Sequence, residues 1–308
     1  MPIQQEVWAT DIAENLFKDN EMLNRCVNDN DKLIGKVVHL PQAGAKPGVE
    51  KNRSTFPAVA AQRVDPDITY QIDEYTSDPT HVTLTEEIEA SYQKRISILS
   101  NHINEIEEQV YDNILHDWSP SGATHPVQIV RTTGADRSAY KAGQTGTRKA
   151  VTKDDILELR RLFNRQNLPK RGRILVVDAD MEIDLLKVPE FVDANKYGRS
   201  NIPMGALGML FGFELYSRSD IVMFDNAANP AKKAVGSAIA ATDNAACLAW
   251  HVDFLRKAVG TTTNGGIQVF ENVRDAQYYG DVMSAMVRGG GRASREDYVG
   301  VFALVEAA

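Results

Sequence analysis

An α+β fold, in which one long helix and one long hairpin stand against shorter mixed elements, follows from three features of this 308-residue sequence. An apolar stripe of helical period runs through residues 84–118. Two stretches of strand character enclose a Gly-, Pro- and Ala-rich excursion upstream of it. The second half carries short apolar runs bounded by Gly, Pro and Asp, the pattern of buried strands joined by tight turns.

The first segment, residues 8–34, has scattered apolar positions: Trp8, Ile12, Leu16, Phe17, Leu23, Val27, Leu33 and Ile34. Their spacing suits short helical pieces between Asn and Asp, and an arm that packs on something else. Lys36–Pro41 then reads as a strand, and Ile68–Tyr75 as a second with period-two alternation. Gln42–Arg63 between them is polar and weakly apolar at its tip. An isolated two-stranded hairpin is marginal in water, so this excursion is expected to need a partner surface.

Thr83 and Glu86 have the spacing of a capping box. Ile88, Tyr92, Ile96, Leu99, Ile103, Ile106, Val110 and Ile114 follow at steps of three or four, on one helical stripe. Glu87, Lys94, Asn101, Glu105 and Glu108 lie opposite, so one face is buried and one is wet. Ser119-Pro120-Ser121-Gly122 stops the helix. A helix over residues 84–118 would be about 50 Å long.

Residues 131–150 read as loop. Thr152 and Asp155 cap a helix through Ile156, Leu159, Leu162 and Phe163 that stops before Pro169. Arg173–Val177 reads as a buried strand, and Met181–Lys187 as a short helix. Strands and tight turns are expected over residues 202–225, a helix over Asp243–Val259 stopped by Gly260, and closing strands from Ile267 to Val305. Gly289-Gly290-Gly291-Arg292 reads as a flexible turn between two of them.

Composition narrows the function. The net charge is −8 and the pI about 5.4. General nucleic-acid binding draws its affinity from Lys and Arg on phosphates, so an acidic chain argues against it. Cys26 and Cys247, both in helix-like contexts, are too few and too far apart for a disulfide framework or thiolate metal site; a reducing compartment is expected. The opening residues lack the regions of a signal peptide, and no apolar run approaches the ~20 residues of a membrane span.

No catalytic signature stands out: there is no G-x-S-x-G, no H-E-x-x-H and no G-x-G-x-x-G after a strand. Gly143–Lys149 has the wrong Gly spacing for a phosphate loop. The densest acidic group, Asp178, Asp180, Glu182 and Asp184, reads as helix N-capping rather than a metal site. No catalytic, cofactor or metal residue is assigned. Lys46, Lys51 and Arg53 form a basic cluster on the hairpin, read either as a solvated tip or as a contact for an acidic patch on a neighbouring subunit.

The order of parts resembles the major capsid proteins of tailed bacteriophages, the Hong Kong 97-like fold of N-arm, E-loop, spine helix, P-domain and A-domain. Local stretches are similar too: Arg173–Asp178 with its short helix, Gly208–Tyr216, Ala246–Asp253, and Tyr279 to Val301. The resemblance implies an arm over residues 1–35, an E-loop over 36–82 and a P-domain with the spine helix over 83–132. It implies an A-domain over 133–263, P-domain return strands over 264–285 and closing strands over 286–308.

The function implied is a non-enzymatic shell subunit. It would close into pentamers and hexamers around double-stranded DNA, bound without sequence specificity, with no cofactor and no membrane. Scaffolding, portal and decoration proteins are the further partners implied, and assembly in the host cytoplasm the implied place. By position, Lys46 and Lys51 would be the donors of a Lys–Asn crosslink if this chain used one. The competing readings are an encapsulin-type nanocompartment shell, a tail component, and an enzyme with an atypical site.

Overall fold

The computed structural model describes residues 17–18, 20–32, 35–58, 60–83, 94–187, 206–260 and 266–308. Short 3-10 turns, Glu21–Asn24 and Asn30–Lys32, flank β1 (Val27–Asn28). Then come β2 (Val37–Pro41), β3 (Asp67–Gln71), β4 (Asp73–Thr76) and β5 (Thr80–Thr83), followed by the long helix α1 (Lys94–Trp118). A middle region holds β6 (Ile129–Arg131), β7 (Asp136–Ser138), β8 (Thr147–Lys149), α2 (Lys153–Arg165), β9 (Arg173–Asp178) and α3 (Ala179–Leu186). Strands complete the chain: β10 (Ala206–Leu210), β11 (Phe213–Arg218), β12 (Val222–Phe224), β13 (Asn244–His251), β14 (Leu255–Val259), β15 (Gln268–Asp275), β16 (Gly280–Ala293) and β17 (Val301–Val305).

Seven strands build the central sheet, six of them in the order β10-β11-β9-β13-β17-β6, with β12 also on β13. Its inner strands are buried on both faces, and successive residues divide between two cores. Ile174, Val176, Leu248, Trp250, Val301 and Ala303 face α1 and the arm residues Met22 and Leu23. Leu175, Val177, Cys247, Ala249, Phe302 and Leu304 face α2 and α3, through Ile156, Leu159, Phe163 and Met181. A strand with no wet face shows no polar alternation, which is why β9 reads as an unbroken apolar run.

The second sheet is organised by β16, a 14-residue strand. Met283 pairs with Glu271 of β15 and with Thr80 of β5; Gly289 pairs with Val259 of β14 and with Asp73 of β4. β15 and β14 therefore lie end to end along one edge, and β5 and β4 along the other. α1 lies across this sheet, burying Ile106, Val110, Ile114, Leu115 and Trp118, while Ile96 in its early turns is 60% exposed. The Trp118 indole donates to the Arg256 carbonyl oxygen at 2.9 Å.

Several expectations are met in detail. Thr152 caps α2, and the reciprocal Asp155 bond to the Thr152 backbone completes the capping box. Others are corrected. Asp243–Val259 is not a helix but β13, a 3-10 turn and β14. The Asn-Ala-Ala-Cys-Leu-Ala-Trp-His sequence is rich in helix formers, yet burial on both faces of a sheet overrides that local preference. Cys247 accordingly lies in a strand.

Gly289-Gly290-Gly291 is not a turn but the interior of β16. A Cβ on Gly289 would meet Val110 Cγ1 at 2.7 Å, and one on Gly291 would meet Trp118 Nε1 at 2.8 Å, both on α1. A Cβ on Gly290, on the opposite face, would meet the Gln71 carbonyl oxygen at 2.2 Å. The three glycines let the helix and the hairpin approach one strand from its two sides.

Ile68–Tyr75 is also not one strand. The chain breaks at Ile72, leaving β3 on β2 and handing β4 to β16. Residues 84–93 and 202–205 lie outside the described residues, so the first part of the long helix and the Thr83–Glu86 capping box do too; Thr83 itself ends β5. The expectation that residues 36–82 cannot bury themselves holds only for the tip. Val38, Leu40, Ile68 and Tyr70 of the stem form a small core with Ile72 and Ala258.

Candidate assembly surfaces

The hairpin combines an anchored stem with a free tip. Its two strands alternate, exposed and buried, in register from Val37↔Gln71 to Pro41↔Asp67. Arg292 donates to the Thr69 carbonyl at 2.6 Å, Arg288 to that of Gly35 at 3.0 Å, and Tyr70 Oη to Asp29 at 3.3 Å. Asp29 is buried and also takes Lys32 and Arg256, so arm, hairpin stem and second sheet meet on one carboxylate.

Beyond the stem, the limbs stay together through the Gln42 N–H bond to the Pro66 carbonyl and the Gly44 N–H bond to the Asp65 carboxylate at 2.8 Å. Lys46 and Lys51 are exposed, with no acidic partner among the described residues. Arg53 is partly covered and lies 3.4 Å from Glu50. The three predicted contact residues thus share the tip, with none of them committed to the body. Arg63 grips Asp65 at 2.6 Å and holds that carboxyl below the usual range.

The tip also carries apolar side chains that the sequence reading passed over: Val49 is 95% exposed, Phe56 76% and Val64 77%. Their signal was present, as large apolar residues inside a polar Gly- and Pro-rich stretch. A second apolar patch, formed by Phe270, Val273, Tyr278 and Tyr279, lies exposed on β15 and its turn into β16. Scattered exposed apolar residues are ordinary, but clusters at the ends of projections mark contact surfaces.

The acidic group at α3 is structural. Asp178 accepts from the Asp180 N–H as the N-cap, and its other oxygen takes Lys141 at 2.8 Å. Asp184 pairs with Arg137 at 2.8 Å, and Glu182 accepts from Ser217. Among the described residues no group of three or more His, Cys, Asp or Glu could hold a metal ion.

Burial pushes the Asp178 carboxyl up to about 6, against the opposing pull of Lys141. The folded chain therefore takes up this proton at a higher pH than the unfolded chain does. The stability it contributes is present below about pH 4 and is lost as pH rises through about 6. Wild type should gain stability relative to Asp178→Asn between about pH 7 and pH 4.5, as read from unfolding midpoints. A difference independent of pH would contradict the assignment.

No family model matches the sequence, and no curated protein matches it either. Solved structures do match over nearly the whole length. Mycobacterium phage Che8 superposes with a TM-score of 0.62 at 14% identity, over 98% of this chain and 96% of that one. The capsid of Ralstonia phage GP4 gives 0.62 at 14%, over 100% and 96%. The cyanophage Pam1 capsid asymmetric unit gives 0.67 at 10%, over 98% and 96%. The chain has the fold of these phage capsid structures.

Proposed function

We propose that this chain is a major capsid protein of a tailed phage, a shell subunit whose copies close into pentamers and hexamers around double-stranded DNA. The observation that carries the reading is the pairing of a full-length phage-capsid fold with a hairpin tip left uncovered by the described residues of its own chain. A tip with exposed Val49, Phe56 and Val64 beside Lys46, Lys51 and Arg53 is poorly suited to a monomer and well suited to lying across a neighbour.

In this reading residues 1–35 are the arm, 36–82 the E-loop, 83–132 the spine-helix segment of the P-domain and 133–263 the A-domain. Residues 264–285 and 286–308 return to the two domains, and β16 runs continuously through that division to join them. Each intersubunit contact is small, and closure of the shell makes them cooperative. The acidic balance keeps the lining from gripping the enclosed genome. The role is structural; no cofactor takes part. Assembly takes place in the host cytoplasm, with scaffolding, portal and decoration proteins as further partners.

Replacing residues 45–64 by a short Gly-Ser link tests the reading. The stem core is untouched, so the unfolding temperature should stay within a few degrees, because surface changes cost about 0.5 kcal/mol or less. Assembly into shells or rings, followed by sedimentation, should be lost. A variant that assembles as wild type does would remove the hairpin from the assembly mechanism.

A further inference from the structure

One stretch of this acidic chain has the opposite sign. Residues 159–172 hold five exposed Lys and Arg side chains and no Asp or Glu, in a chain of 34 basic and 42 acidic residues. The five belong to the solvent face of α2 and the turn after it. Ile156, Leu159 and Phe163 turn the other face of the helix into the core. Spacings of three and four residues then bring Arg160, Arg161, Asn164 and Arg165 together outside, where with Leu157 they line one shallow depression.

The charge of this surface is not neutralised by its own chain. Arg161 is met by Glu158, but Arg160, Arg165, Lys170 and Arg171 have no ion pair among the described residues. Burial, and then the neighbouring Arg160 charge, hold the Arg173 guanidinium below its ordinary range. The exposed residues also select the kind of partner. Protein interfaces centre on apolar and aromatic anchors. Here every exposed residue of 159–172 is Arg, Lys, Asn or Pro. Cations and amides without an aromatic anchor suit a nucleic-acid backbone, and guanidinium groups match phosphate in bidentate geometry.

We infer that the outer face of α2, with the turn at Lys170 and Arg171, is a phosphate-binding surface for the backbone of double-stranded DNA. This rests on the proposed shell function and names the surface that meets the enclosed DNA. Contacts to phosphate carry no sequence preference. The acidic remainder of the chain confines the grip to this patch.

The test is fluorescence anisotropy of a labelled mixed-sequence duplex, titrated with the unassembled full chain. Wild type should bind, with log affinity falling linearly as log salt rises. Arg160→Glu/Arg165→Glu/Lys170→Glu should bind about tenfold or more weakly at low salt, with a salt slope shallower by about three. Lys46→Glu/Lys51→Glu/Arg53→Glu changes the net charge equally at the hairpin tip and should bind as wild type does. Circular dichroism checks that both variants fold. Equal binding by the two variants would overturn the patch, as would no binding by wild type. Tighter binding of polyglutamate than of the duplex would overturn it too, by making the surface a protein contact. Electron microscopy separates the two claims: a chain that never assembles, yet binds DNA through α2, keeps the patch and loses the shell.

Discussion

Gly290→Ala is expected to destabilise the chain by about 3 kcal/mol or more, enough to lower the soluble yield. The added Cβ would lie 2.2 Å from the Gln71 carbonyl oxygen. Gln71 is backbone at the end of the hairpin stem, paired with Val37, so it cannot swing away as the end of a side chain could. Relief requires moving β3 off β16, which disturbs the Val38, Leu40, Ile68 and Tyr70 core at once. Gly48→Ala is the control: nothing lies within 4 Å of its Cβ, and it should change stability by less than about 0.5 kcal/mol. Chemical denaturation of both variants decides the matter, and equal midpoints would contradict the close approach.

Arg137→Ala should cost about 3–5 kcal/mol, because it strands two buried carboxylates at once. The guanidinium reaches Asp184 at 2.8 Å and also Glu306; its own side chain is 9% exposed and those of its partners 1% and 2%. Among the described residues Asp184 keeps the Val151 N–H and an exposed Lys187, and Glu306 keeps the Ala245 N–H. The pair also joins α3 to the last residues of the chain, so its loss should loosen the edge of the central sheet. Asp136→Ala removes a partner from an ion pair of similar length, 2.9 Å to Lys149, but one that is 40% and 64% exposed. There water replaces the lost partner, and the cost should be below about 1 kcal/mol. Unfolding midpoints that rank the two variants the other way would contradict the burial argument.

The parts of this fold that announce themselves in sequence are those with local signatures. Thr152 and Asp155 mark a helix start by chemistry within one turn, and Val110, Ile114 and their neighbours mark one face of α1 by spacing. Where the deciding contact is distant, local reading fails. Ala245 to Trp250 has the composition of a helix, and only its position between β9 and β17 makes it a strand. Gly289 to Gly291 looks like a turn until α1 and Gln71 are placed on either side of it. The tip residues Lys46, Lys51 and Arg53 were legible as a group because they are close in sequence. A groove between α1 and the β4–β5 edge was not, since its walls come from residues 17, 74–80 and 98–109 and meet only in the folded chain. Sequence spacing places Asn101, Glu105 and Glu108 on the wet face of the helix, without indicating that the face forms one side of a cleft.

The most direct test of the shell assignment is negative-stain electron microscopy, with mass photometry, of the full chain expressed alone. Closed shells, or rings of five and six subunits, are the expected result. A chain that remains monomeric at high concentration, with residues 43–64 protected from proteolysis, would contradict the account, because the described residues of its own subunit leave that tip uncovered.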